Sequence, residues 1–166
     1  EGYVTGDIHS VKLWGTSTAS PEPYGGGAIV DMSSGAILLI GDDAVVAPQG
    51  NAPRRVEVEF KTAPGDNHYG VLLSTGTGAA YQAFNVRVHV GGQVGVMGVN
   101  RDWDVDPYPI DVFDGEWHTL VVDYDGTHLR MWLDGVQLGD AHAIAFETAG
   151  QNNMVGRSNH YAASGP

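Results

Sequence analysis

The chain has 166 residues, among them 24 glycines and no cysteine, and its formal net charge is −12. This length suits one domain with a substantial core, so we predict that residues 1–166 form a single domain. The negative charge argues against nucleic acid or an anionic membrane as a partner, because binding to phosphate groups requires Lys and Arg. No stretch resembles a transmembrane span, so we expect no membrane insertion. A catalytic thiol is excluded, since no cysteine is present.

The first half of the chain is typical of short strands joined by glycine-rich loops. We predict a strand from Ile8 to Trp14, a loop at 21–27, and short strands at 36–40 and 44–46. Residues 55–61 alternate, which predicts a strand with Val56, Val58 and Phe60 facing a core. Further strands are predicted at 71–74, 81–90 and 94–99.

Glu57 and Glu59 are the strongest catalytic candidates in the sequence. They stand two apart on the predicted strand, so their side chains share one face at ~7 Å, within the separations that paired-carboxylate glycosidases use. The alternative is the solvated face of an amphipathic strand, since Arg54, Arg55 and Lys61 flank the pair. We expect a non-enzyme and keep a glycoside hydrolase or polysaccharide lyase as the alternative.

Three polar clusters that contain aromatic residues are candidate sugar sites. An aromatic ring can stack on the C–H face of a pyranose, while carboxylates, amides and Arg bind its hydroxyl groups. We predict that such sites lie in a loop at 100–109, in a turn at 66–69 and near the end of the chain. The residues proposed to bind carbohydrate are Arg101, Asp102, Trp103, Asp104, Tyr108, His68, Tyr69, Asn159, His160 and Tyr161. For each cluster, an ordinary turn with an aromatic cover is the alternative.

The same loop contains alternating acids that could bind calcium. Asp102, Asp104 and Asp106 supply the carboxylate oxygens that Ca²⁺ prefers. The segment does not match a helix-loop-helix calcium loop, because Pro107 occupies the place of the turn glycine and Phe113 that of the closing glutamate. We therefore treat Ca²⁺ as a candidate cofactor that would need a differently built site.

The stretch from Phe113 to Leu138 predicts a three-stranded antiparallel meander. It contains two Asp-Gly pairs, Asp125-Gly126 and Asp134-Gly135, between alternating apolar residues, and Asp-Gly is a strong signal for a type I′ hairpin turn. Two rows of apolar side chains are expected to face the core, formed by Leu120, Val122 and Tyr124 and by Leu129, Met131 and Leu133.

This stretch, DGEWHTLVVDYDGTHLRMWLDG, resembles the signature of laminin G-like domains within the concanavalin A-like lectin and glucanase superfamily. The Trp117-His118 pair and both Asp-Gly turns stand at the family's usual spacing. The resemblance implies an all-β, two-sheet antiparallel jelly-roll sandwich, in which His118 is structural. The calcium site usual in laminin G-like domains takes an acid from the region that reads GTGAAYQAF here, and this region has none.

The resemblance also raises a question of strand order. A motif that usually forms the last strand of such domains is matched by Val4, Gly6, Ile8, Val11, Leu13 and Trp14, near the start of this chain. Residues 154–159 resemble the segment that normally leads into that strand. This implies a circularly permuted order or strand exchange with a neighbouring copy; an additional strand that matches by chance is the alternative.

Taken together, these patterns predict a recognition module at the cell or virion surface or in the extracellular space. Its expected partner is a glycan or a cell-surface protein, bound through loops at the rim of the sandwich. A structural domain of a fibre or repeat array is a further alternative.

Overall fold

The computed structural model describes residues 6–14, 30–31, 38–39, 47–150 and 153–156. Within these residues the chain forms thirteen strands and one short 3-10 turn at Val90–Gly92. The strands are β1 (Gly6–Trp14), β2 (Val30–Asp31), β3 (Leu38–Leu39), β4 (Arg54–Thr62), β5 (Gly70–Gly76), β6 (Ala83–Val88), β7 (Val94–Met97), β8 (Asp102–Val105), β9 (His118–Tyr124), β10 (His128–Leu133), β11 (Val136–Gln137), β12 (His142–Ala143) and β13 (Met154–Val155).

The strands form two antiparallel sheets. One sheet has the order β11-β10-β9-β4-β1-β2, with β12 also paired to β10, and the other has the order β3-β13-β5-β6-β7-β8. In each strand successive side chains point to opposite faces of the sheet. In the six-stranded sheet, every residue of β5, β6 and β7 is buried. On β4 the pattern is complete, since Val56, Val58 and Phe60 are buried while the residues between them are partly exposed. The architecture is a two-sheet jelly-roll sandwich, as predicted.

The meander at 118–137 confirms the sequence prediction in all but one turn. Asp134 and Gly135 both have positive φ, 51° and 80°, and Leu133 pairs with Val136, as a two-residue type I′ hairpin requires. The first turn is wider, because Tyr124 pairs with Leu129 and only Gly126 has a positive φ. There the Asp125 side chain accepts the backbone N–H groups of Thr127 and His128. Asp125 thus stabilises this turn through its side-chain carboxylate. The prediction of a type I′ turn is wrong at this position.

The predicted loop at 100–109 contains a strand. β8 pairs antiparallel with β7, from Met97 opposite Asp102 to Val94 opposite Val105. The alternation of Asp with Trp and Val, taken in sequence for a ligand-rich loop, is the alternation of a strand with one polar face. Asp is rare in strands, and for this reason the pattern was misleading.

The N-terminal strand β1 lies inside its own sheet. It pairs with β4 over eight residue pairs and with β2 on its other side. The register shifts between Ile8 and Ser10, so that His9 occupies a β-bulge. Within the described residues β1 is therefore an intramolecular strand, and the permuted order stays a prediction.

The connections between strands distinguish two ends of the sandwich. The segments 63–69, 89–93, 106–117 and 134–135 lie at one end, here called end A. The segments 77–82, 98–101 and 125–127 lie at the opposite end, end B. The large exposed hydrophobic residues of the described chain lie at end A or directly beside it: Val90, Tyr108 and Trp117 are in its segments, and Val136 follows its turn at 134–135.

Candidate ligand-binding surface

Arg87 lies at the centre of the polar cluster that we consider the best candidate site. It is on β6, where Phe84, Val86 and Val88 face the core, so Arg87 points to the outer face of the six-stranded sheet. Its Nε donates to Asp104 Oδ1 at 2.8 Å and its Nη2 donates to the other Asp104 oxygen, a bidentate pair. A carboxylate oxygen of Asp102 lies 3.5 Å from the same Nη2.

A glycine allows this pair to form across an intervening strand. Arg87 on β6 and Asp104 on β8 are both register partners of Gly95 on β7. A Cβ at Gly95 would lie 2.2 Å from Asp104 Oδ1 and 2.4 Å from the Trp103 carbonyl oxygen. Only glycine therefore leaves room for the carboxylate to cross β7 and reach the guanidinium group.

Tyr69 completes the cluster from the segment before β5. The Arg87 Cζ lies 5.6 Å from the centre of the Tyr69 ring, within the range of a cation–π contact. His89 contacts the same ring edge-on, with ring centres 5.8 Å apart, and the Tyr69 hydroxyl donates to Met97 Sδ at 3.7 Å. The structure thus brings together two of the predicted clusters, at 66–69 and at 102–104, through an arginine that the sequence analysis had missed.

The electrostatics of the cluster are dominated by the Arg87–Asp104 pair. Burial alone would lower the pKa of Arg87, whose side chain is 5% exposed, but the hydrogen bonds and charge of Asp104 raise it above its usual value. The Asp102 side chain is 41% exposed and that of Asp104 is 19% exposed. Arg87 is therefore too buried to contact a ligand first. It holds the carboxylates of Asp102 and Asp104, which are at least partly exposed to solvent.

His68 and its neighbours form the exposed margin of the cluster. The His68 ring bonds to the Asp66 carboxylate, and the Asn67 side chain accepts the backbone N–H of Gly91. The second of these bonds joins the segments 63–69 and 89–93 at end A. His68 and Asn67 themselves are exposed beside Tyr69.

The aromatic residue predicted as a sugar platform points the other way. Alternation along β8 places Trp103 and Val105 on the core side, opposite Asp102 and Asp104, and both pack against the hydrophobic core. The Trp103 ring stacks on His142 with a centroid distance of 4.9 Å and an interplanar angle of 6°. Because β8 and β12 each lie at the margin of a different sheet, this stack closes one flank of the sandwich.

Arg101 and Tyr108 also lie apart from the Arg87 cluster. Arg101 is at end B, where its Nη1 donates to the Ala145 carbonyl at 2.6 Å and its Cζ lies 4.4 Å from the Tyr81 ring centre. Tyr108 is at end A, 86% exposed, before a cis peptide bond to Pro109. The third predicted cluster, with Asn159, His160 and Tyr161, lies outside the described residues.

The three acids proposed as calcium ligands do not converge. Asp104 is paired with Arg87, whereas Asp106 lies beyond β8 and accepts the backbone N–H of Tyr108 at 3.0 Å. Across the described part of the chain, no group of three His, Asp or Glu side chains is placed to hold a metal ion.

End B is fastened internally by buried polar groups. Arg54 is 1% exposed and donates to the carbonyls of Gly50 and Ala52 and to the Thr148 hydroxyl at 2.7, 3.0 and 2.9 Å. Burial lowers the pKa of Arg54 to about 10. Asn51 Oδ1 accepts both the Tyr124 hydroxyl and the Phe146 backbone N–H. These contacts bury the polar groups of end B inside the protein, whereas the large exposed hydrophobic residues lie at or beside end A.

The two glutamates considered for catalysis lie on the outer face of the other sheet. Glu59 Oε2 is 3.8 Å from His9 Nε2, and both side chains are partly exposed. Asp123 shares this face between Arg55 and Arg130, its register partners, and no residue in the described part of the chain forms a hydrogen bond with its Oδ1. Burial raises the pKa of Asp123, against the opposing charges of the two arginines.

Comparison with solved structures finds similar folds at low sequence identity. Domains LG4-5 of the mouse laminin alpha1 chain match 91% of this chain at 14% identity and a TM-score of 0.47, and the match spans 33% of that protein. The Crh5 transglycosylase in complex with NAG matches 98% at 14% identity and a TM-score of 0.44, over 75% of that chain. Domain 4 of AbnA, a GH43 extracellular arabinanase from Geobacillus stearothermophilus solved with arabinotriose, matches 90% at 11% identity and a TM-score of 0.35, over 82% of that chain.

The chain spans about a third of the laminin fragment and about three quarters of the transglycosylase. No protein-family model matches the sequence, and no curated protein does. Among the described residues there is no helix with the length and apolar character needed to cross a bilayer. With its two antiparallel sheets, the chain has a jelly-roll sandwich fold.

Proposed function

We propose that this protein is a non-catalytic carbohydrate-recognition module that acts outside the cell or at a surface. The single observation that carries the proposal is the cluster around Arg87, in which residues from three separate parts of the chain are held on one outer sheet face. The carboxylates of Asp102 and Asp104 meet at the Arg87 guanidinium, which also contacts the Tyr69 ring, and the partly exposed His89 imidazole lies at the edge of that ring. This is the combination that binds sugar hydroxyls and the apolar face of a pyranose.

Each group in the cluster has a distinct role in the proposal. Asp102, as the more exposed acid, accepts hydrogen bonds from sugar hydroxyls, and His68 and Tyr69 line the adjoining surface. Arg87 is a positioning residue, which fixes Asp104 and Tyr69 before a ligand arrives. Amino-sugar and pentose oligomers are included in the first trials, since NAG and arabinotriose are the ligands of two of the similar structures.

The proposal is tested with a glycan array followed by calorimetry on four soluble probes: cellohexaose, xylohexaose, arabinohexaose and chitohexaose. Asp102→Asn is expected to weaken binding by about tenfold, the equivalent of ~1.4 kcal/mol, without changing the melting temperature. Arg87→Met is expected to lower both affinity and stability, since it leaves Asp104 without its partner. Glu147→Gln is the matched control and should alter neither, since Glu147 is exposed and its backbone N–H donates to the Tyr81 carbonyl at end B.

Two outcomes would overturn the proposal. One is the absence of binding to the array and to all four probes, which would favour a protein partner. The other is full binding by both Asp102→Asn and Arg87→Met.

The assay is run with calcium and again with a chelator. We expect equal affinity in both conditions, because the carboxylate of Asp104 is already paired with Arg87.

Binding without turnover is part of the same proposal. The candidate acids Glu57 and Glu59 lie on the opposite sheet from the Arg87 cluster, and Glu59 is engaged with His9. We expect no release of reducing ends when the protein is incubated with polysaccharides that it binds. Release that Glu57→Gln abolishes would instead establish a glycosidase.

A further inference from the structure

Trp117 is an exposed tryptophan on a rigid base. It is 42% exposed and directly precedes β9, at end A of the seven-stranded sheet. The next residue, His118, is 5% exposed and bonds to Asp134 at 2.8 Å and to Asp114 at 3.2 Å. Because His118 is held on both ring nitrogens, the backbone that presents Trp117 is fixed.

Two neighbouring side chains hold the indole ring itself. Lys61 Nζ lies 5.1 Å from the ring centre, a cation–π distance. His9 contacts the ring edge-on, with centroids 5.6 Å apart and an interplanar angle of 74°. His9 reaches this position because it is the bulged residue of β1, and bulges commonly redirect a side chain in this way.

Carboxylates complete the surroundings of the ring. Glu59 lies 3.8 Å from His9 and Asp7 lies 3.5 Å from Lys61, and the four side chains are between 34% and 49% exposed. The set of Trp117, His9, Lys61, Glu59 and Asp7 is here called the Trp117 platform. It combines one large apolar ring with donors and acceptors of both charges, all of them reachable from solvent.

This combination matches the surface of a sugar better than that of a lipid or a nucleic acid. A pyranose presents an apolar C–H face surrounded by hydroxyl groups, which both donate and accept hydrogen bonds. A lipid tail would remove water from four polar or charged side chains, which is costly, and a phosphate backbone would meet a chain of net charge −12.

We propose that the Trp117 platform is a second carbohydrate-binding site, separate from the Arg87 cluster. The inference rests on the proposed function for the class of ligand, which is carbohydrate. The residues of this site are different from those of the Arg87 cluster. The two sites lie on the outer faces of different sheets, so one short oligosaccharide occupies only one of them. Two sites on opposite faces would let the domain bind a polysaccharide network with increased avidity.

The test uses protein labelled with 5-fluorotryptophan and observed by ¹⁹F NMR. The chain has four tryptophans, so the spectrum is simple, and Trp117→Phe assigns the signal of interest. Each of the four soluble probes named above is titrated into wild type and into Asp102→Asn. We expect the Trp117 signal to shift in both proteins, and Trp117→Ala to weaken binding at this site by about tenfold.

Val136→Thr is the matched control, because Val136 is an exposed apolar residue at the same end without an aromatic ring. It should leave the titration unchanged.

The outcomes separate the two proposals. Binding that depends on Asp102 with no movement of the Trp117 signal overturns the second site alone. Movement of the Trp117 signal in both proteins, with no effect of Asp102→Asn on total binding, supports the second site and contradicts the first. A complete lack of binding contradicts both.

Discussion

At the scale of single residues, His118 shows how the meander is stabilised electrostatically. Burial alone would lower the pKa of His118, but its hydrogen bonds to Asp134 and Asp114 raise it. Backbone hydrogen bonding at Glu116, followed by the bond to His118, lowers the pKa of Asp114. The charged imidazole therefore links the segment before β9 to the β10–β11 turn.

This arrangement predicts a defined pH dependence of stability. A folded-state pKa above the unfolded value means that the contribution is complete below the unfolded pKa of ~6.5 and is lost as pH rises through the folded pKa. At pH 5 we expect His118→Gln to lower the free energy of unfolding by about 2 kcal/mol relative to wild type. By pH 9 the difference should be clearly smaller.

Urea unfolding at pH 5, 7 and 9 provides the measurement. His128→Gln serves as the control, since His128 is exposed on the neighbouring strand and should cost less than about 0.5 kcal/mol at each pH. A His118→Gln difference that stayed constant or grew with pH would contradict the assignment.

At the scale of elements, β8 determines what the acidic segment can do. As a strand it sends Asp102 and Asp104 to the outer face and Trp103 and Val105 to the core side. The set of residues that sequence alone suggested as one sugar site is thereby divided between two faces. On the outer face, Asp104 pairs with Arg87, and Arg87 contacts Tyr69; both of these residues come from other parts of the chain.

The stack of Trp103 on His142 leads to a prediction about the flank of the sandwich. Trp103→Ala removes a half-buried ring that packs against the core, and we expect a loss of about 2 kcal/mol in the free energy of unfolding. Tyr108→Ala, which removes an aromatic ring that is 86% exposed, should change stability by less than about 0.5 kcal/mol. Paired urea melts measure both.

If Trp103→Ala instead kept full stability and lost glycan binding, Trp103 would be a ligand contact, as the sequence analysis proposed. A change in stability thus indicates that Trp103 is a packing residue, and a change in affinity alone indicates that it is a ligand contact.

At the scale of the whole molecule, the topology bears on strand exchange. β1 is paired with β4 along nearly its entire length and with β2 on the other side, within one chain. We therefore expect light scattering after size exclusion to give the mass of one chain, 17.6 kDa, at every concentration tested. A dimer whose share grows with concentration, and which Leu13→Pro abolishes by breaking the pairing of β1, would support exchange between copies.

Much of the fold could be predicted because its signals are local. Alternation of apolar residues identified β4, β9 and β10, and the Asp134-Gly135 pair identified a tight hairpin. β8 was harder, since the same alternation with Asp at its polar positions is also typical of a ligand loop. One feature of the sequence pointed to Arg87. It is the only charged residue in the strand AFNVRV, and a buried strand tolerates a charged side chain only when that side chain has a partner.

The sequence by itself determined the fold class, the inward faces of the main strands and the position of the meander, because each depends on residues two to four apart. Only the tertiary structure decided which polar groups meet. Arg87 reaches Asp104 because Gly95, on the strand between them, has no side chain, and His9 reaches Trp117 because β1 carries a bulge. Such contacts depend on the register between strands that are distant in the chain, and that register is established by packing of the whole sandwich rather than by any local pattern.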